Sequence, residues 1–131
     1  MAPARTVGTL GVWLPLDGRP CDAAAARAFV RGSLAGRLPG SIIDTAELLV
    51  SELVTNAIQH AGTTLTVDIA HSPEALWIAV TDGDAHNRPR RSAAAPDDER
   101  GRGVLLIEAL AQDFGVRDVP GGKQVWCVLT L

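Results

Sequence analysis

The sequence lacks any apolar run long enough to cross a bilayer as a helix, and its first residues lack the ordered regions of a secretory signal. Both absences lead to the expectation of a cytoplasmic protein. Cysteine is scarce: Cys21 and Cys127 stand far apart and in no metal-like spacing, so buried thiols in a reducing compartment are the plain reading. A surplus of positive charge is also missing. With a formal net charge of -3, nothing electrostatic favours nucleic acid, whose recognition calls for a basic face. Arg88, Arg90, Arg91, Arg100 and Arg102 do cluster, but Asp97, Asp98 and Glu99 sit among them. That mixture is closer to a phosphate-handling loop than to a nucleic-acid track. No internal repeat is found.

What remains is an ordinary globular composition, 47% hydrophobic and 21% charged over 131 residues, enough for one domain with a core and too little for two. Residues 1–8 read as a disordered or extended start and residues 9–131 as one domain. Leu10, Val12, Leu14 and Leu16 alternate with other residues, the period of a half-buried strand. Asp22 can cap an alanine-rich helix over about 23–38, which Pro39-Gly40 breaks. Ser41 opens a second helix, with Asp44 completing a weak capping box. Its apolar residues Ile42, Ala46, Leu49, Val50, Leu53, Ala57 and Ala61 recur at three and four, so one face is buried. Gly62 stops it. Two strands follow, about 65–70 and 75–81, joined as a hairpin at Ser72-Pro73-Glu74.

From Gly83 to Arg100 neither period is present, and a loop of this length inside a compact domain is usually functional, often a lid. Gly101-Arg102-Gly103 leads into a third helix, about 104–114. Gly121-Gly122 then turns into a last strand over 123–131, alternating on Val125, Cys127 and Leu129. Helices and an antiparallel or mixed sheet in this proportion make a two-layer α+β sandwich.

Three groups of polar residues stand out. Glu52, Asn56 and His60 lie four apart and stack into a row bordering the apolar arc of Leu49 and Leu53. A carboxylate and an amide at that border need polar partners, and Mg²⁺ bound to phosphate would supply one, since it takes oxygen ligands. A solvated helix edge has the same spacing. Asp82 falls on the strand face of Leu76, Ile78 and Val80, between sheet and helices, where it can accept a hydrogen bond from an amino group such as that of adenine. Gly83 removes the side chain where a flat ring would approach. A common Asp-Gly turn explains the pair equally well. Gly101 and Gly103 precede a helix and would bare its first amides to phosphate, although a lone Gly-x-Gly is a weak signal.

In this order the segments resemble the GHKL, or histidine-kinase-like, ATPase superfamily, and within it the anti-sigma-factor serine kinases and stand-alone ATP-binding regulators. The segment from Leu49 to Ala57 with His60-Ala61 is similar to the N box. Val80-Thr81-Asp82-Gly83 resembles the first glycine box, the segment from Gly101 to Ile107 the second, and Lys123-Gln124-Val125-Trp126 the closing strand. The resemblance runs from about Ala46 to the C-terminus. It implies a Bergerat-type sandwich, with helices on one face of a mixed, mostly antiparallel sheet and ATP held between the helices and a closing loop.

By that resemblance Asn56 ligates Mg²⁺, Glu52 is the general base, Asp82 reads the adenine amine and Gly83 lets the ring approach. Gly101 and Gly103 line the phosphates, and Arg100 or Arg102 offsets charge on the transferring group. His60 orders the pocket wall. Asp84 departs from the small residue often found two positions after the aspartate, and the lid's phosphate arginine is shifted relative to the glycines. The chain has no room for the phospho-accepting helical domain of a sensor kinase or for the transducer domains of topoisomerases and chaperones. The implied function is therefore an anti-sigma-factor-type regulator, binding a sigma factor or phosphorylating a small anti-sigma-factor antagonist on serine or threonine. The alternative is a binding-only regulator that uses ATP as a conformational ligand or has lost it. Relatives often pair through the sheet, which suggests a homodimer with Trp13, on the non-core face of its strand, at the contact.

Overall fold

The computed structural model describes residues 10–83 and 107–131. The expectations for residues 1–8, for the lid, and for Arg100, Gly101, Arg102 and Gly103 lie outside those residues. Seven elements run in the order β1 (Leu10–Leu16), α1 (Asp22–Leu34), α2 (Gly40–Ala61), β2 (Leu65–His71), β3 (Ala75–Asp82), β4 (Asp113–Val119) and β5 (Gly122–Thr130). The strands form one sheet in the order β1-β2-β3-β5-β4, and each of its four pairings is antiparallel. Both helices pack on one face of it. The fold is the expected α+β sandwich.

The core follows from two periodicities meeting. On α2, Ile43, Ala46, Leu49, Val50, Leu53, Val54 and Ala57 are buried, a stripe at helical spacing. Opposite it lie the alternate residues Leu65, Val67 and Ile69 of β2, Leu76, Ile78 and Val80 of β3, and Cys127 and Leu129 of β5. Ala26, Val30 and Leu34 bring α1 onto the same cluster. Each fully buried Leu, Ile or Val contributes about 1.5–3 kcal/mol. No described helix is long and apolar enough to cross a membrane.

The helix starts differ from the capping expected of them. Asp22 is the first residue of α1, and its carboxylate accepts the backbone N–H groups of Gly18 and Arg19, at 2.7 and 2.8 Å, holding the turn before the helix. Asp44 pairs with Arg31 of α1 and caps nothing, because Pro39 occupies the cap position of α2. Gly62 ends α2 in the left-handed region (φ 63°), as a glycine C-cap does.

The larger correction is at the third helix. Helix is present over residues 107–110, but Asp113 already begins β4. Phe114 and Val116 lie two apart, with Gly115 between them, and stand opposite Cys127 and Val125 on β5. Period two wins over the helical reading because the hairpin through Pro120 and Gly121 gives β4 a neighbour to pair with. Gly121 takes a positive φ of 78° in that turn.

Two outcomes follow from the packing. Burial pushes the Cys127 thiol up to about 12. Cys127 should therefore resist iodoacetamide at neutral pH while exposed Cys21 reacts, with a second adduct appearing by mass spectrometry only after unfolding. Since folding favours the protonated thiol, its contribution to stability is complete below the ordinary thiol range and is lost as pH rises toward about 12. At Gly122 an added Cβ would meet the Asp82 carbonyl oxygen at 1.7 Å. Gly122→Ala should lower stability by about 3 kcal/mol in urea denaturation, since strand backbone has to shift to admit it.

Candidate functional site

Strand register brings the end of α2, the end of β3 and the start of β5 to one end of the sandwich. Helix α2 finishes at Ala61, β2 starts at Leu65, and Leu65 stands opposite Asp82 in the β2–β3 register. Asp82 in turn stands opposite Lys123 in the β3–β5 register. The C-terminal turns of α2, the end of β3 and the start of β5 thus converge. Asn56 sits five residues before the helix ends, about 7.5 Å along its axis.

Burial rises and falls along the row on α2. Glu52 and His60 are half-buried, while Asn56 between them is only 6% exposed. The side chain of Asn56 makes no hydrogen bond to another described residue, unusual for so buried an amide. Nor are its polar atoms among the fully enclosed, unpartnered ones, which are His71 Nδ1 and Trp77 Nε1. An amide at the inner margin of a helix with no hydrogen-bond partner among the described residues is a candidate ligand group for an oxygen-seeking cation. Glu52 lies one turn away, about 6 Å along the axis.

Asp82 lies on the helix-covered face, sharing it with Val80 and Ile78. Its Oδ2 accepts a hydrogen bond from Lys123 Nζ at 2.8 Å, and both side chains are 1% exposed. Asp82 was expected at the site, but its partner Lys123 was not. A signal for it was present: Lys123 continues the inward alternation of Val125, Cys127 and Leu129, which carries an ammonium group onto the core face. Taking two charges out of water is expensive unless each compensates the other, so the pair has to persist as a unit.

The loops around the pair hold it. Gly122 brings β5 against the backbone of Asp82, as the close approach at its Cα shows. The Gly83 N–H donates to Thr63 Oγ1 at 2.9 Å, tying the end of β3 to the α2–β2 loop. Gly18, at φ 86°, lies against the Thr63 carbonyl where a Cβ would approach to 2.3 Å. Behind the pair, Gln124 Nε2 donates to Thr81 Oγ1 at 3.1 Å and Arg117 Nε to Gln124 Oε1 at 2.7 Å on the opposite sheet face. Among the described residues no three His, Cys, Asp or Glu side chains form a metal cluster. A cation near Asn56 would find no such cluster among the described residues; Mg²⁺ is commonly held by few protein ligands, with phosphate oxygens and water.

No curated protein matches the sequence. Solved structures do. The RsbU and RsbW domains of a Mycobacterium tuberculosis protein superpose with a TM-score of 0.69 at 21% identity, over 92% of this chain and 32% of that one. The chain thus spans about a third of that protein's length. The SiaB–SiaC complex from Pseudomonas aeruginosa gives a TM-score of 0.60 at 15% identity, covering 92% of this chain and 89% of its own. At such identities the likeness is one of fold. The sequence match is the stronger finding, since a model of the histidine kinase-like ATPase domain covers residues 16–129. With its sandwich and its family match running over nearly the same length, the chain belongs to the histidine kinase-like ATPase domain family.

Proposed function

We propose that the protein is an ATP-binding regulator of the anti-sigma-factor type. In this reading it phosphorylates a small anti-sigma-factor antagonist on serine or threonine, or sequesters a sigma factor, and acts in the cytoplasm. The observation that carries it is Asn56: a buried amide, unclaimed by described residues, one turn from Glu52 and at the end of the sandwich that holds Asp82. Family membership supports ATP as the nucleotide. One structural neighbour was solved as a complex of two proteins, which supports a protein partner here.

The residues divide the work. Asn56 would offer its amide oxygen to Mg²⁺, which would offset charge on the phosphates. Glu52 would accept the proton of the incoming hydroxyl. Asp82 would accept the adenine amine, and Gly83 would leave room for the ring. Gly101 and Gly103 would offer backbone amides to the phosphates, with Arg100 or Arg102 balancing charge there.

A second reading, a regulator that binds partners with ATP as a conformational ligand or without it, is favoured by Asp84 and the lid sequence, which depart from the family pattern. Titration calorimetry with ATP and Mg²⁺ and radiolabelled transfer to the antagonist separate the two. Asn56→Ala should weaken Mg·ATP binding at least about tenfold, the loss of one charge-assisted contact. Glu52→Ala should bind ATP within about threefold of the parent while transfer falls about 100-fold or more. Normal transfer by Glu52→Ala would remove the base assignment, and ATP binding without transfer by the parent would select the second reading.

The outer sheet face supports pairing with a second copy. Trp13 is 62% exposed there, in a cross-strand row with Asp68, Ala79, Trp126 and Gly115, and Ala70, Trp77, Ala79 and Trp126 form a second apolar cluster. No described helix covers this face. An exposed tryptophan continuous with an apolar sheet face is the kind of patch that marks an interface. Light scattering should give twice the chain mass, and Trp13→Lys should return a folded monomer; a monomeric parent protein would rule the homodimer out.

A further inference from the structure

Lys123 is the chain's only lysine: the other 11 of its 12 basic residues are arginines. It lies on the helix-covered face of the sheet, 1% exposed, with its ammonium 2.8 Å from Asp82 Oδ2. A guanidinium is planar, with five N–H donors spread in a rigid fork, whereas an ammonium is a compact point charge on a flexible stem. At the tight start of β5, where Gly122 already touches the Asp82 backbone, the compact cation fits the available partner.

The contact is set by strand register, since Lys123 of β5 stands directly opposite Asp82 on β3 and, on its other side, opposite Asp118 on β4. The carboxylate of Asp82 is therefore turned by β5, with Oδ2 toward the ammonium, before any ligand arrives. A group whose orientation is fixed in advance discriminates better than one that must be ordered on binding. From this geometry, and resting on the nucleotide reading of Asp82 above, we propose that Lys123 is the positioning residue that sets base specificity. It holds the Asp82 carboxylate oriented toward the amino group of a purine. Lys123 acts through Asp82 and has no part in phosphoryl transfer.

The test compares ATP with purine riboside triphosphate, which lacks the 6-amino group, on the full chain by calorimetry. The parent should prefer ATP by about tenfold or more, as one charge-assisted hydrogen bond provides. In Lys123→Met that preference should fall to within about threefold, with the affinity for the amine-free analogue changed by less than about threefold. A structural role alone would weaken both ligands together, and that result, or a retained preference, overturns the proposal. Removing one partner of a buried pair can unfold a domain. A measurement on the unaltered protein therefore stands beside the variant. With one lysine, the ¹⁵N-labelled chain gives one lysine ammonium signal, which ATP should shift more than twice as far as the analogue. A signal unmoved by saturating ATP overturns the role of Lys123 while leaving nucleotide binding intact. A parent that binds neither triphosphate overturns the nucleotide reading itself.

Discussion

The contact between α2 and the inner face of the sheet is what the rest of the molecule is arranged around. Leu49, Leu53 and Val54 from the helix meet Val67, Ile69, Ile78 and Val80 from the central strands, and α1 closes over the same cluster. Water is excluded along this seam because both surfaces are apolar at their own periods. Where the seam runs out, at the C-terminal turns of α2, the apolar stripe gives way to Asn56 and the sheet to Asp82 and Lys123. Polar groups at that margin inherit the low dielectric of the core and the rigidity of the elements carrying them.

Low dielectric makes those groups demanding. A lone carboxylate at the position of Asp82 would be costly, and Lys123 compensates it. Asn56 has no such neighbour among the described residues, although it is only 6% exposed. The two residues share one edge of the seam but have opposite needs. Asp82 is paired and held in place, whereas Asn56 is held in place with no partner among the described residues.

The two faces of the sheet are used differently. The inner face is sealed by helices, while the outer face carries tryptophans beside polar residues such as Asp68, Gln124 and Arg117. Trp126 lies over Gly115, whose missing side chain makes room for the ring; a Cβ there would approach it to 2.9 Å. Antiparallel sheets tolerate one solvated face, so the tryptophans are there for packing across strands, with Trp13 left exposed at the end of the row.

Much of this was legible in the chain itself. The stripe on α2, the alternation in β1, β2, β3 and β5, and the placing of Asp82 on the inner face follow from side-chain period alone, which is local. The row of Glu52, Asn56 and His60 was legible for the same reason. The strand β4 was obscured because a short helical segment runs directly into it, and only its pairing with β5 makes Phe114 and Val116 a strand. Capping by Asp22 and Asp44 was misassigned because each carboxylate found a partner elsewhere, in the preceding turn and across the helix pair respectively. The ion pair of Asp82 with Lys123 joins residues 41 positions apart, and no local pattern chooses a partner at that distance. Register between β3 and β5 chose it. Sequence by itself determined which faces are apolar, since that depends on near neighbours; tertiary structure decided which charges meet, since that depends on how distant strands align.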